Sequence, residues 1–200
     1  MKHDSSTYNE SYHFIDGGGK IFVSAPHNAE HFRDGAHKHA EPETGPVALF
    51  LNKELNCPCI IKVTNDGSDP NYDSISDYRD FLIKQIKSKR GKLLLDFHQM
   101  SPERLEMVCI GTGFGKNIQN RFELIDVLKK CFTDNEINNI SVDNPFPAVF
   151  DYTVSRTVSE MCEIPAIQIE INTQLFLTQP LKQKVYDSLY CIIKVLEDAI

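Results

Sequence analysis

Lys92-Leu93-Leu94-Leu95-Asp96-Phe97-His98 is an almost unbroken apolar run that ends with an imidazole. Apolar runs without alternation are typical of strands at the centre of a parallel sheet, where helices cover both faces. Two other runs share this character: Lys20–Ala25, which is followed by His27, and Ala166–Ile171, which contains Glu170. We therefore expect three central strands, each of which delivers a chemically active side chain.

The segments between these runs predict helices and further strands. In Ser74–Ser88 the apolar residues recur at intervals of three or four, as on one face of a helix. The other predicted helices are Gly45–Leu55, Gln119–Phe132 and Gln179–Leu196, and the other predicted strands are Cys59–Val63 and Leu105–Ile110. This alternation predicts an α/β fold, a three-layer α/β/α arrangement with a mostly parallel or mixed central sheet. The 200 residues suit a single catalytic domain spanning 1–200.

Composition restricts the class of partner and the compartment. A formal net charge of −7 argues against a nucleic-acid surface, and no apolar run reaches the ~20 residues that span a bilayer. Residues 1–6 have no apolar core, so we expect no signal peptide, a cytoplasmic location and six reduced cysteines. Cys57 and Cys59 are too close for a usual zinc pair and are expected to be buried thiols.

Metal-ligand chemistry follows two of the predicted strands. The carboxyl ends of strands in an open α/β sheet meet at one edge, where ligands bind. His27, Glu30 and His98 lie at or just beyond such ends. Two imidazoles and one carboxylate are typical ligands of a catalytic zinc that keeps one position open for water. The sequence therefore predicts one Zn²⁺ per chain, although these ligand types also suit Mn²⁺, Co²⁺ and Fe²⁺.

Three other residues complete the predicted site. Asp96 shares a strand face with His98 and could accept its ring N–H or pair with another donor. Glu170, partly desolvated near a metal, would be the general base, unless it is an exposed acid on an edge strand. Arg156 is the candidate for binding a substrate carboxylate, with Arg33, Arg79 and Arg121 as competitors. The acidic stretch Asn65–Asp77 lacks calcium-loop spacing and is expected to be a mobile surface loop.

An inverted zinc-protease motif is the competing interpretation of the first segment. Residues 27–31 match His-x-x-Glu-His, which would make His31 a ligand, Glu30 the base and Glu106 the third ligand. The third ligand in this interpretation is a distant acid, for which Glu106 is one example. This motif requires a well-formed helix, whereas Asp34-Gly35 would end one within about two turns. It would also leave His98 and Glu170 without a function.

Three short motifs resemble the N-formylglutamate amidohydrolase-like proteins, which are related to zinc carboxypeptidases and to the succinylglutamate desuccinylase group. The motifs are Ser24–His27, Leu95–His98 and Ile167–Asn172. The resemblance implies that His27, Glu30 and His98 bind the metal, that Glu170 is the catalytic acid/base, and that Arg156 binds the substrate carboxylate. Two departures affect substrate recognition: Gln99 replaces the usual Ser, and Pro147–Tyr152 replaces a Gly-Gly-Tyr segment.

The expected function is therefore a zinc-dependent amidohydrolase. It would cleave an amide bond of an N-acyl amino acid, of the formyl type, or of a short acidic peptide by metal-activated water. A zinc carboxypeptidase or γ-glutamyl-type peptidase is the alternative enzyme, and a non-catalytic module that binds metal or acidic ligands is the alternative from another class. The expected partner is a small-molecule or short-peptide substrate with a carboxylate, not a nucleic acid or a membrane.

Overall fold

The computed structural model describes residues 6–199, which form an eight-stranded sheet, a separate hairpin and five helices. The strands are β1 Thr7–Tyr8, β2 Tyr12–Ile15, β3 Ile21–Ala25, β4 His31–Arg33, β5 Ala36–Lys38, β6 Cys59–Lys62, β7 Leu93–Met100, β8 Val108–Gly111, β9 Ile140–Val142 and β10 Ala166–Asn172. The helices are α1 Thr44–Leu55, α2 Asp77–Lys89, α3 Glu123–Asp134, α4 Val154–Cys162 and α5 Gln179–Glu197. Of the six N-terminal residues that bear on a signal peptide, the first five lie outside the described residues.

The large sheet is mixed and has the order β1-β2-β6-β3-β7-β10-β8-β9. Its centre, β6-β3-β7-β10, is parallel, whereas β2 pairs antiparallel with β6 and β8 pairs antiparallel with β10. The three expected strands β3, β7 and β10 are therefore central neighbours. Their carboxyl ends meet at one edge of the sheet.

Helices cover both faces of the sheet. Helices α1, α3 and α5 pack on one face, against Ile167, Ile169 and Ile171 of β10 and the odd-numbered apolar residues of β7. Helices α2 and α4 pack on the other face, against Leu94 and Ala166. The alternation places Asp96, His98, Gln168 and Glu170 on the α2/α4 side, where they extend beyond that apolar cluster. The predicted three-layer α/β/α fold with a mixed sheet is confirmed.

Sequence periodicity found the long elements but missed the short ones. The unpredicted elements are β1, β2, the β4–β5 hairpin, β9 and α4. Helix α4 has only nine residues and follows an irregular segment. In so short a helix the spacing of apolar residues does not stand out from a chance arrangement. Strand β8 begins at Val108 rather than Leu105, whose side chain is largely exposed.

Cysteine chemistry differs in part from the expectation. Cys131 on α3 and Cys191 on α5 form a disulfide, so the expectation that all six are reduced is wrong for this pair. Cys57 and Cys59 are free and buried as expected, and burial raises the pKa of each thiol to about 12. Among the helices of residues 6–199, none has the length and apolarity needed to cross a bilayer.

Candidate metal centre and active-site cleft

Two imidazoles converge at the carboxyl edge of the sheet. His27 lies in the turn after β3, His98 lies near the end of β7, and both are buried. Their Nδ1 atoms are 3.2 Å apart. A carboxylate spans both, with Glu41 Oε1 3.0 Å from His27 Nδ1 and Glu41 Oε2 3.2 Å from His98 Nδ1. Three side chains of types that zinc prefers, two imidazoles and one carboxylate, therefore face one point.

The opposite nitrogen of each ring lies against an aspartate. His27 Nε2 lies 2.9 Å from Asp69 Oδ1, and His98 Nε2 lies 3.3 Å from Asp96 Oδ2. An imidazole that donates its Nε2–H to a carboxylate exposes a lone pair on Nδ1, which is the tautomer that a metal needs. Two facing lone pairs repel one another unless a cation lies between them. The chemistry of the donor set thus fits one metal ion held by His27, Glu41 and His98.

Electrostatics favour a positive charge at this point. Burial alone would lower the pKa of His27, but Glu41 and Asp69 outweigh it and raise this pKa above its ordinary value. Burial likewise opposes the charged form of His98, yet Glu41 and Asp96 raise the pKa of this ring well above the ordinary value. Burial would raise the pKa of Glu41, but the two histidines hold this pKa far below its usual range. A metal cation satisfies the same preference as these protons.

Glu41 is held in place by the backbone on both sides of the site. Its own N–H donates to the carbonyl of His27 at 2.8 Å, and its Oε2 accepts the N–H of Gln99 at 3.0 Å. The side-chain oxygen of Gln99 accepts the N–H of Glu43 at 2.9 Å. Gln99, where the resembled family has Ser, thus binds the segment that leads into α1 and fixes the carboxylate.

Glu30 is not brought to the two histidines. Its side chain is 53% exposed and lies 3.1 Å from His37 Nε2. The reason is the β4–β5 hairpin, which begins at His31 and turns at Asp34-Gly35, where both residues have positive φ. Asp-Gly at such a turn is a strong hairpin signal. The hairpin returns the chain to His27 at Glu41, and this carboxylate takes the position that the sequence assigned to Glu30.

Asp69 was missed because its loop has no regular structure. The stretch 65–77 was expected to be a mobile surface loop, but Asp69 within it is fully buried. Besides His27, this residue binds Arg33, whose Nε donates to Asp69 Oδ2 at 2.8 Å. The pKa of Asp69 is depressed because the His27 and Arg33 contacts outweigh the effect of burial. An isolated aspartate in an acidic loop gives no sequence signal of such a position.

His31 lies beside the cluster, on the Nε2 side of His27. Its ring stacks on that of His27 at 4.0 Å, and its Nε2 is 3.5 Å from Asp69 Oδ2. Burial and the neighbouring His27 lower its pKa to about 4. The ligand atoms of His27, His31 and Asp69 also lie near one another, but His27 Nε2 is already engaged with Asp69. Residues 27–31 form a turn that enters β4, so the helix required by the inverted protease motif is absent from this described segment.

Glu170 lies next to His98, on the adjacent strand and on the same face of the sheet. The two residues are direct partners in the parallel β10–β7 ladder, and Glu170 is 7% exposed. Gln168 Nε2 donates to Glu170 Oε1 at 3.0 Å. Burial raises the pKa of Glu170 to about 7, despite the opposing effect of His98. A carboxyl group with this pKa can accept and return a proton near neutral pH.

These residues open into a cleft of about 470 Å³. His27, Glu41, His98, Gln168 and Glu170 all line it. One wall comes from the hairpin and the loop that follows β6, and another from residues 145–150. The segment that replaces the family's Gly-Gly-Tyr therefore overlaps the cleft wall. This volume lies within the range of small-ligand sites.

Basic side chains from two walls reach the cleft, but Arg156 is not among its lining residues. Arg33 and Lys38 come from the hairpin and Arg104 from the segment after β7. Arg156 lines a separate cavity of about 190 Å³ and bonds to Val149 O, Asp151 Oδ1 and Glu160 Oε1. The structure thus brings together His27, His98 and Glu170 of the predicted residues, together with Asp96. It places Glu30 and Arg156 elsewhere.

Solved structures with the same fold carry the names of several hydrolases. A bacteriophage poly-γ-glutamate hydrolase is 13% identical, with a TM-score of 0.62 over 96% of this chain and 91% of that one. An N-formylglutamate amidohydrolase from Ralstonia eutropha JMP134 is 10% identical, with a TM-score of 0.60 over 96% and 100% of the two chains. A metallo-carboxypeptidase from Burkholderia cenocepacia is 10% identical, with a TM-score of 0.54 over 98% of this chain and 64% of that one.

The resemblance inferred from the sequence motifs is confirmed at the level of the fold, which this chain shares with an N-formylglutamate amidohydrolase and a metallo-carboxypeptidase. The sequence matches no protein-family model and no curated protein.

Proposed function

We propose that this chain is one catalytic domain of a zinc-dependent amidohydrolase, which cleaves an amide bond of an N-acyl amino acid or a short acidic peptide. One observation carries the proposal: the Nδ1 atoms of His27 and His98 face each other across 3.2 Å, with Glu41 spanning both. Glu170 lines the same cleft. The fold shared with amide and peptide hydrolases supports this reaction class.

His27, Glu41 and His98 would hold one zinc ion per chain. A zinc ion with an open position supplies Lewis acidity and lowers the pKa of coordinated water toward ~7. Asp69 and Asp96 accept the Nε2–H groups of the two histidines and so fix the rings in the ligating tautomer. Two buried imidazoles and a largely buried carboxylate support a resident metal ion rather than a transient surface ion.

Glu170 is the general base and then the general acid. It accepts a proton from the attacking water and passes that proton to the nitrogen of the leaving amine. Its raised pKa suits both steps, since the group gains and loses a proton near neutral pH. Gln168 orients the carboxylate through its Nε2–H donor.

Assay of the zinc-loaded protein with N-formyl-L-glutamate and N-acetyl-L-glutamate tests the proposal directly. We expect release of formate or acetate that stops on chelation and returns with zinc. Zinc binding without turnover of any acyl amino acid or acidic peptide would contradict an enzyme and favour the non-catalytic binding module.

A γ-glutamyl-type peptidase is the second candidate, and the basic side chains on two walls of the cleft favour it. Arg33 and Lys38 on one wall and Arg104 on another could bind carboxylates on both sides of a scissile amide. The fold shared with a poly-γ-glutamate hydrolase agrees with this specificity. Cleavage of γ-glutamyl oligomers, with little action on N-formyl-L-glutamate, would distinguish it from the first candidate.

A further inference from the structure

Arg33 is held at the wall of the cleft by a buried carboxylate. It ends β4, and its side chain is 35% exposed. Its Nε donates to Asp69 Oδ2 at 2.8 Å, while Asp69 Oδ1 lies 2.9 Å from His27 Nε2. One aspartate thus joins the guanidinium to a candidate metal ligand. This contact fixes the plane of the guanidinium and leaves its terminal nitrogens at the outer end.

The terminal nitrogens of Arg33 have no hydrogen-bond acceptor among residues 6–199. The guanidinium carbon lies 5.1 Å from the centre of the Tyr72 ring, which also lines the cleft. A planar guanidinium with both terminal nitrogens free can donate two parallel N–H bonds to a carboxylate in bidentate geometry. Its orientation is set before a ligand binds, so less conformational entropy is lost on binding.

The other arginines near the cleft are less suited to this role. Arg104 lines the cleft with its guanidinium 5.1 Å from the Phe146 ring, but the residue is exposed. Among residues 6–199 no acceptor anchors its guanidinium by a hydrogen bond. Arg156 already bonds to three acceptors and lines the other cavity. Of these three arginines, only Arg33 lines the cleft, bonds to a buried carboxylate and keeps its terminal nitrogens free.

We propose that Arg33 binds the carboxylate of the substrate and so determines the preference for acidic substrates. The inference rests on the proposed function, because it assigns the substrate-binding group of the same site. It differs from the sequence assignment of this role to Arg156. Asp69 contacts His27 at Nε2, the ring nitrogen away from the proposed zinc position, and it therefore holds the Arg33 guanidinium on that side of the ring.

Calorimetric binding of N-acetyl-L-glutamate to zinc-loaded protein tests this, with its neutral diamide as the matched ligand. All titrations are made in a common Glu170→Gln background, so that the ligand is not hydrolysed during the measurement. The variants are Arg33→Ala, Arg33→Lys, Arg104→Ala and Arg156→Ala, with Arg121→Ala as a surface control paired with Glu123. We expect Arg33→Ala to weaken binding of the dicarboxylate about 10- to 100-fold and to leave the diamide unaffected. The affinity of Arg33→Lys for the dicarboxylate should lie between those of wild type and Arg33→Ala. Lysine keeps the positive charge but cannot donate two parallel hydrogen bonds as a guanidinium does.

Zinc content and steady-state kinetics separate recognition from a structural role. In Arg33→Ala we expect unchanged zinc and a raised KM for the acidic substrate with little change in kcat. If Arg33→Ala lost affinity equally for the dicarboxylate and the diamide, or lost zinc, Arg33 would have the structural role of supporting Asp69. Either result would overturn the inference. A larger loss in Arg104→Ala or Arg156→Ala, or no binding by wild type, would also overturn it. Carboxylate binding that depends on Arg33 in a protein without turnover would refute the proposed function but not this inference.

Discussion

Glu170 of β10 and His98 of β7 are direct partners in a parallel ladder, on adjacent central strands. The register places the proposed base beside a proposed metal ligand without any loop between them. Rigid strands hold such groups more accurately than loops do. The relationship depends on β10 lying next to β7 in the sheet order, so the fold itself sets the separation between the proposed base and the proposed metal ligand.

Replacement of Glu170 by Gln tests the base. Because the amide cannot accept the proton, we expect kcat to fall at least ~100-fold while zinc content stays unchanged. Zinc content and turnover are measured on the same preparation, with Glu54→Gln on the surface of α1 as the matched control. Near-normal turnover in zinc-loaded Glu170→Gln would exclude this role.

The pH profile of kcat/KM should report the same group. Burial raises the pKa of Glu170 to about 7, and a bound cation would lower it again. The base acts when deprotonated, so activity should decrease as pH falls through an apparent pKa of about 7 or below. The residual activity of Glu170→Gln should not show the same decrease of kcat/KM at low pH. If both proteins showed an identical decrease, the titrating group would be a residue other than Glu170.

Asp69→Asn tests the support of His27. The amide keeps the size of the side chain but loses the charge that holds the His27 tautomer, so we expect zinc affinity to fall about 10- to 100-fold. Competition with a chelator measures this, and Asp187→Asn on the exposed surface of α5 is the control. Unchanged affinity would show that Asp69 serves only the loop and Arg33.

Leu95→Ala tests the central strand. Leu95 is fully buried in β7, so its truncation should lower the free energy of unfolding by about 2–5 kcal/mol. Urea denaturation measures the loss, and Leu49→Ala on the exposed side of α1 should cost much less. Similar losses for both variants would place Leu95 outside the core.

The sequence was sufficient for the central strands because their apolar runs are long and their polar residues stand out. His98 and Glu170 could be recognised for this reason, and their shared sheet edge follows from parallel pairing. Glu41 could not be assigned by spacing, since the hairpin of residues 31–38 separates it from His27. Asp34-Gly35 is a turn signal, but from sequence alone it fits the end of a helix as well as the turn of a hairpin. Asp69 and Arg33 act through tertiary contacts that no local pattern encodes.

Metal content tests the central claim most directly, on wild type, Glu41→Gln, Glu30→Gln and His98→Ala reconstituted with zinc in parallel. We predict one zinc per chain in wild type and in Glu30→Gln, and its loss in Glu41→Gln and His98→Ala. Retention of zinc in Glu41→Gln together with its loss in Glu30→Gln, or no zinc in wild type, would contradict the account.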